Sequence, residues 1–280
     1  MQSMTAEAKI REYADTWTVT ILLAKSPVVW VPFAILAALK AVPLVLLYYF
    51  WKPSFSGFMM PAIQSLFGEG VVHFPMHVLR LPEMYRTVDM VVTVAVGFVL
   101  VGWAVIMMTD RLEGNSIRSG RYVAPTLFLI PPLLVVGFVF VAGVKGVPAL
   151  ISILNGSISN LRFQMLLTLA GLGASLAIKG MLAYCPSYLV LRRGRVLSAL
   201  GMSYRCARTE SWITTMIVLT GWVITAPLDY IVSNPVRLMQ DWGPDSVLTV
   251  LLVGVFLETL GLFYLFASAT AIAMGKTGQE

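Results

Sequence analysis

Six stretches of the chain are apolar for long enough to cross a bilayer: about 28–50, 88–109, 123–143, 163–185, 211–231 and 247–274. A hydrocarbon core about 30 Å thick needs roughly 20 residues of helix at about 1.5 Å rise each. Backbone N–H and C=O groups in hydrocarbon must be satisfied within their own segment, which selects helices. Strict period-2 alternation is absent, which argues against a barrel of tilted strands. The pattern predicts an all-α integral membrane protein of about six transmembrane helices, arranged as three hairpins in a single membrane domain over 1–280.

Between the spans the pattern changes. Residues 1–26 contain TAEAKIREYADTWTVTILLA, with Ile10, Tyr13, Ala14, Trp17 and Ile21 on one helical face. GNSIRSGRY precedes the third span and RVLSALGMSYRCARTE the fifth. Each odd-numbered span is thus expected to be entered by an amphipathic helix lying in the inner headgroup layer. Residues 52–86 differ from both kinds of segment. They are apolar, carry few charges, and are broken by Pro53, Pro61, Pro75 and Pro82. A loop this greasy cannot sit in water as a disordered linker. It is expected to rest on the outer face, re-enter the bilayer, or pack on a partner.

Composition agrees with the segment pattern. The 280 residues are 58% hydrophobic and 12% charged, against about 25% charged in a soluble domain. Lys and Arg set the orientation. With both termini cytoplasmic, twelve fall inside, six outside, and Lys40 and Lys179 within spans. The expected location is therefore the bacterial inner membrane. The net charge of +6 fits anionic headgroups rather than nucleic acid, with Arg192, Arg193, Arg195, Arg205 and Arg208 as the inner contact. Cys185 and Cys206 fall at the cytoplasmic boundary, where thiols stay reduced. The first apolar run begins about 27 residues in and is too long for a cleavable signal.

The stretch RGRVLSALGMSYRCARTESWITTMIVLTGW carries a basic loop, an Ala-Leu pair, an Arg/Ser-rich turn and a Trp at the next span. It resembles bacterial six-helix membrane proteins, among them the membrane domain attached to some glycerophosphodiester phosphodiesterases. Ala199, Leu200, Ser203 and Trp212 are the matching positions, and the likeness covers about 110–230. It implies an envelope protein with some relation to lipids. The phosphodiesterase catalytic domain is a separate module, so that activity is not carried over.

Ionisable groups inside spans are candidates for function. Lys40 and Glu258 have opposite sign and similar depth, so an ion pair tying the first and last helices is expected. A polar transport cavity beside Pro32 and Pro43 is the alternative. Lys179 lies near the inner end of its span and can snorkel. Asp89, Asp229 and Arg162 are read as a solvated outer rim. In the fourth span, Gly171, Gly173, Ala174 and Ala177 form the clearest helix-packing signal.

Glu69, His73 and His77 recur every four residues within the outer loop. On one helix they would share a face and offer three zinc ligands. Pro75 breaks that helix, and no H-E-x-x-H spacing is present. The favoured reading is a contact lip for lipid or a partner, formed by Phe58, Phe67, Glu69, His73, His77 and Arg80. No cofactor or metal is expected.

The leading expectation is a non-enzymatic subunit that anchors or feeds an envelope assembly, with lipid transport as its expected setting. Its partners would be membrane lipids and a protein in the membrane or periplasm. One alternative is a secondary transporter of a small or amphiphilic solute. Another is an intramembrane lipid-modifying enzyme using Glu69, His73, His77 and Glu83.

Overall fold

The computed structural model describes residues 6–115, 122–156, 158, 160–192, 195–232 and 234–277. Among them every regular element is helical. The order is α1 (Ala6–Ala24), α2 (Pro27–Tyr49), α3 (Pro53–Phe67), α4 (Met76–Leu79), α5 (Leu81–Val92), α6 (Phe98–Leu112) and α7 (Val123–Gly156). There follow α8 (Leu161–Ala183), α9 (Cys185–Leu191), α10 (Val196–Thr209), α11 (Ser211–Val232), α12 (Pro235–Trp242) and α13 (Asp245–Thr277). A 3-10 turn at Glu69–Val72 precedes α4, and a π-helical segment at Thr93–Gly97 joins α5 to α6. Six continuous helical stretches are long and apolar enough to cross a membrane, in the order the hydropathy predicts.

Several of these spans are longer than expected. The third reaches Gly156 rather than 143, because its helix runs unbroken through Pro131, Pro132 and Pro148. The second begins at Leu81 rather than 88. There Pro82 falls in the first turn, where its missing N–H costs no hydrogen bond, and Glu83 faces the positive end of the helix dipole.

The chain divides into two compact units. Unit 1 comprises 1–33, 93–221 and 262–280. Its core gathers Leu23 of α1, Phe98 and Ala104 of α6, Leu133 and Val136 of α7, Tyr188 of α9, Ile217 of α11 and Phe266 of α13. The α6–α7 and α7–α8 contacts depend on small residues. A Cβ at Gly137 would lie 2.9 Å from Phe98 Cβ and Cγ, and one at Gly143 would lie 2.7 Å from Ile178. Ser175 donates to the Val144 carbonyl at 2.7 Å, and Asn160 caps α8 by accepting from the amides of Arg162 and Phe163.

α1 departs from the expected face. Ile10 and Ile21 are exposed, whereas Tyr13, Thr16, Trp17, Thr20 and Leu23 turn inward. Tyr13 bonds to Thr220 of α11 at 2.7 Å and to Tyr264 of α13 at 3.2 Å, and Thr20 pairs with Ser268 at 2.9 Å. Thr220 lies nine residues inside the start of α11. The helix therefore docks on α11 and α13 through a partly polar seam rather than only floating in headgroups. α10 packs by Ala199, Ser203, Cys206 and Ala207, with the Ser203 hydroxyl on the Met181 carbonyl. The stretch before the third span lies outside the described residues over 116–121, as does Arg193.

Unit 2 comprises 34–92 and 222–261. Its core joins Leu44 and Leu47 of α2, Ile63 of α3, Val71, Val78 of α4, Met84 of α5 and Val247, Leu251 and Val255 of α13. Residues 52–86 are thus short helices closed over an apolar core, not a structureless strap.

Candidate functional site

Three helices of unit 2 bring ionisable side chains to one point. Lys40 on α2 is fully buried, and its ammonium lies 2.7 Å from Asp89 Oδ1 on α5 and 3.1 Å from Glu258 Oε2 on α13. The Lys40–Glu258 pair expected from equal depth is present. Asp89 is a correction: it does not belong to the outer rim. Because α5 starts at Leu81, Asp89 sits eight residues inside it, about 12 Å along the axis. Its side chain is only 5% exposed. Of the other rim residues, Arg162 is exposed on α8. The Asp229 side chain lies outside the described residues.

Glu258 is thirteen residues past the start of α13, about 20 Å from that end. Its side chain keeps 34% of its surface exposed. Tyr85, one turn before Asp89, is buried, and its hydroxyl has no hydrogen-bond partner. That hydroxyl is within electrostatic reach of both Asp89 and Glu258. Nearer the end of the same helices, the Tyr48 hydroxyl donates to Asp245 at the first turn of α13. α2 and α13 are therefore tied twice, once by this bond and once by the ammonium.

A buried ammonium with three donors can satisfy two carboxylates and hold three helices in one register. In low dielectric such an arrangement is stable only as a group, because the loss of one member strands the others.

The histidine stretch is not assembled into a site. His73 is exposed at the end of the 3-10 turn, with Glu69 exposed within it and Glu83 exposed on α5. His77 is buried on α4, with its ring 5.9 Å from that of Phe50 and 5.8 Å from that of Phe74. Burial pushes the His77 imidazole below its usual pKa. Pro75 precedes α4, so the two imidazoles share no helical face. No cluster of His, Cys, Asp or Glu among the described residues could hold a metal ion.

The lip residues divide in the same way. Phe58 is 84% exposed on α3, whereas Phe67 packs against the unit 2 core; Arg80 is exposed. α3 is apolar on two sides: Met59, Ile63 and Phe67 face the core, while Phe55, Phe58, Ala62 and Leu66 are exposed.

The small-residue set of α8 separates onto two faces, which corrects its reading as one packing surface. Gly171 abuts Ile151, and Gly180 lies against Thr214. Gly173, Ala174 and Ala177 are exposed, and nothing lies within 4 Å of a Cβ built at Gly173. With Ala170 they make an open stripe of small side chains four residues apart. At the other end of unit 1, Arg192, Arg195, Arg205 and Arg208 are exposed. Lys276 pairs with the buried Glu210 at 2.5 Å.

The positions that carried the family likeness have structural duties. Ala199 and Ser203 are buried in the α10 seam, Leu200 packs beside them, and Trp212 takes the Lys9 ammonium at 5.9 Å from its ring centre. No protein family, curated protein or solved structure matches the chain.

Proposed function

We propose that the protein is a non-enzymatic, multi-pass subunit of the bacterial inner membrane, with both termini cytoplasmic. In this reading it docks a partner's transmembrane helix and anchors or feeds an envelope assembly that handles lipid. The open α8 stripe of Ala170, Gly173, Ala174 and Ala177 carries the reading. In lipid, helices associate by close packing rather than by hydrophobicity, and small side chains at this spacing let backbones approach. The outward apolar side of α3 adds a second contact, suited to the boundary between headgroups and acyl chains.

The test is the native mass of the full chain, purified in mild detergent. A partner at fixed stoichiometry is expected, and Gly173→Leu with Ala177→Leu should release it without lowering the melting temperature. A partner-free monomer, or a partner retained by the variant, would refute the reading.

A second reading, a secondary transporter of a small or amphiphilic solute, is favoured by the Lys40–Asp89–Glu258 triad. It requires solute movement coupled to a gradient in proteoliposomes, abolished by Glu258→Gln at a temperature where the variant stays folded.

A further inference from the structure

We propose that α10 is a binding surface for anionic phospholipid, with its arginines on lipid phosphates and Leu197 and Tyr204 among the acyl chains. Depth is the first observation. α10 follows one span, which ends at Leu191, and precedes the next, which starts at Ser211, so it lies at one membrane face. It packs on α8 and α9, and the Ser203 hydroxyl donates to the Met181 carbonyl. Met181 lies twenty residues after Leu161 on α8, about 30 Å along the axis. That is about the thickness of the hydrocarbon core. Leu161 marks the opposite face, where Asn160 caps the helix and Arg162 is exposed. The Ser203 contact therefore holds α10 at the hydrocarbon boundary and not beyond it in water.

The surface of the helix is divided to match. Ala199, Ser203, Cys206 and Ala207 form its buried side. At about 100° per residue, Leu197, Gly201, Tyr204 and Arg208 fall on one flank. Leu197 there is 85% exposed and Tyr204 47%. Ser198, Arg205 and Thr209 make the neighbouring stripe, and all three are exposed. An apolar flank beside a basic one suits a helix lying in the interface. From the boundary, a guanidinium on its long stem reaches the phosphate level.

Charge selects the lipid. Residues 192–209 carry five arginines and no acidic residue. Arg195, Arg205 and Arg208 are exposed and enter no ion pair among the described residues. Glu210, the first acid to follow them, is buried against Lys276. A zwitterionic headgroup pairs its phosphate with its own cation, whereas an anionic one leaves the phosphate for bidentate bonding to guanidinium. The inference stands apart from the α8 partner reading and holds whichever face is cytoplasmic.

Thermal unfolding of the full chain in a non-ionic detergent tests it, with phosphatidylglycerol or phosphatidylcholine titrated in. Phosphatidylglycerol should raise the melting temperature saturably, and phosphatidylcholine should not. Arg205→Gln with Arg208→Gln should raise the half-saturating mole fraction about thirtyfold, or about fivefold per arginine. Arg80→Gln with Arg86→Gln, both exposed in unit 2, should leave it unchanged. Glycerol phosphate should not substitute for the lipid, because it offers no acyl chain to Leu197. In phosphatidylglycerol vesicles, a spin label on Leu197→Cys should be reached by oxygen, and one on Ser198→Cys by a water-soluble nickel complex. Equal stabilisation by the two lipids would overturn the proposal, as would equal losses in the two arginine pairs. So would stabilisation by glycerol phosphate alone, or a label at position 197 as open to nickel as the one at 198.

Discussion

Replacing Lys40 by Met tests the triad most directly. Met keeps most of the side-chain volume, so the packing of α2 is little changed and the perturbation is electrostatic. Asp89 and Glu258 are then left without the ammonium that sits 2.7 and 3.1 Å away. Coulomb energies in a dry interior are poor guides to the penalty, because each carboxylate escapes by taking a proton. That escape sets a ceiling. Neutralising a carboxyl of ordinary pKa, about 4, costs about 4 kcal/mol at pH 7 and about 1 kcal/mol at pH 5.

With two carboxyls to neutralise at most, the ceiling at pH 7 is about 8 kcal/mol. The expected loss is about 3–5 kcal/mol, the range typical of breaking a buried ion pair. Unfolding of wild type and variant in the same detergent, at pH 7 and pH 5, measures the difference. Most of the defect should disappear at the lower pH, and replacing all three residues by Met and Leu should return stability near the wild-type level. A Lys40→Met protein as stable as wild type at pH 7, or a defect unchanged at pH 5, would refute the reasoning.

Three further outcomes follow from other parts of the molecule. Gly137→Ala should destabilise by about 1–3 kcal/mol in thermal unfolding, since the added methyl meets Phe98 Cβ, which moves only with its backbone; Gly173→Ala, in open space, should be neutral. Because burial lowers the folded-state pKa of His77, the unfolded chain binds more protons below about pH 6.5 and stability should fall on acidification through that value. His77→Phe, which suits the slot between Phe50 and Phe74, should lessen that acid loss, and an identical pH profile in both proteins would contradict it. A membrane-impermeant thiol reagent applied from outside should label a cysteine placed at Gly70 and miss one placed at Ser198, while the buried Cys185 and Cys206 stay unreactive; the opposite pattern would invert the proposed topology.

The spans were legible because hydropathy over about 20 residues reflects the single strongest constraint on a chain in lipid. Their ends were less so. Prolines at 131, 132 and 148 resemble stops, yet α7 continues through all three. The inward face of α1 was misread for a related reason. Thr16 and Thr20 look polar to an apolar-face count, but Thr16 donates to the Glu12 carbonyl and Thr20 meets Ser268, so the seam buries them at little cost. The α8 stripe shows the reverse problem: composition identified small residues but could not tell Gly171, which meets Ile151, from Gly173, which meets nothing.

Asp89 shows most clearly why part of the site was hidden. A hydropathy window counts every charge as a cost, so Glu83 and Arg86 moved the apparent start of the span to 88 and left Asp89 at its edge. The helix instead begins at Leu81, which carries Asp89 two turns inward to the ammonium. Depth alone could pair Lys40 with Glu258, since two spans of known direction define two heights. It could not supply the third member, because the window adds charges and never asks whether they meet. That third member changes the site: Lys40 and Glu258 alone would tie two helices, and Asp89 brings a third, α5, to the same ammonium.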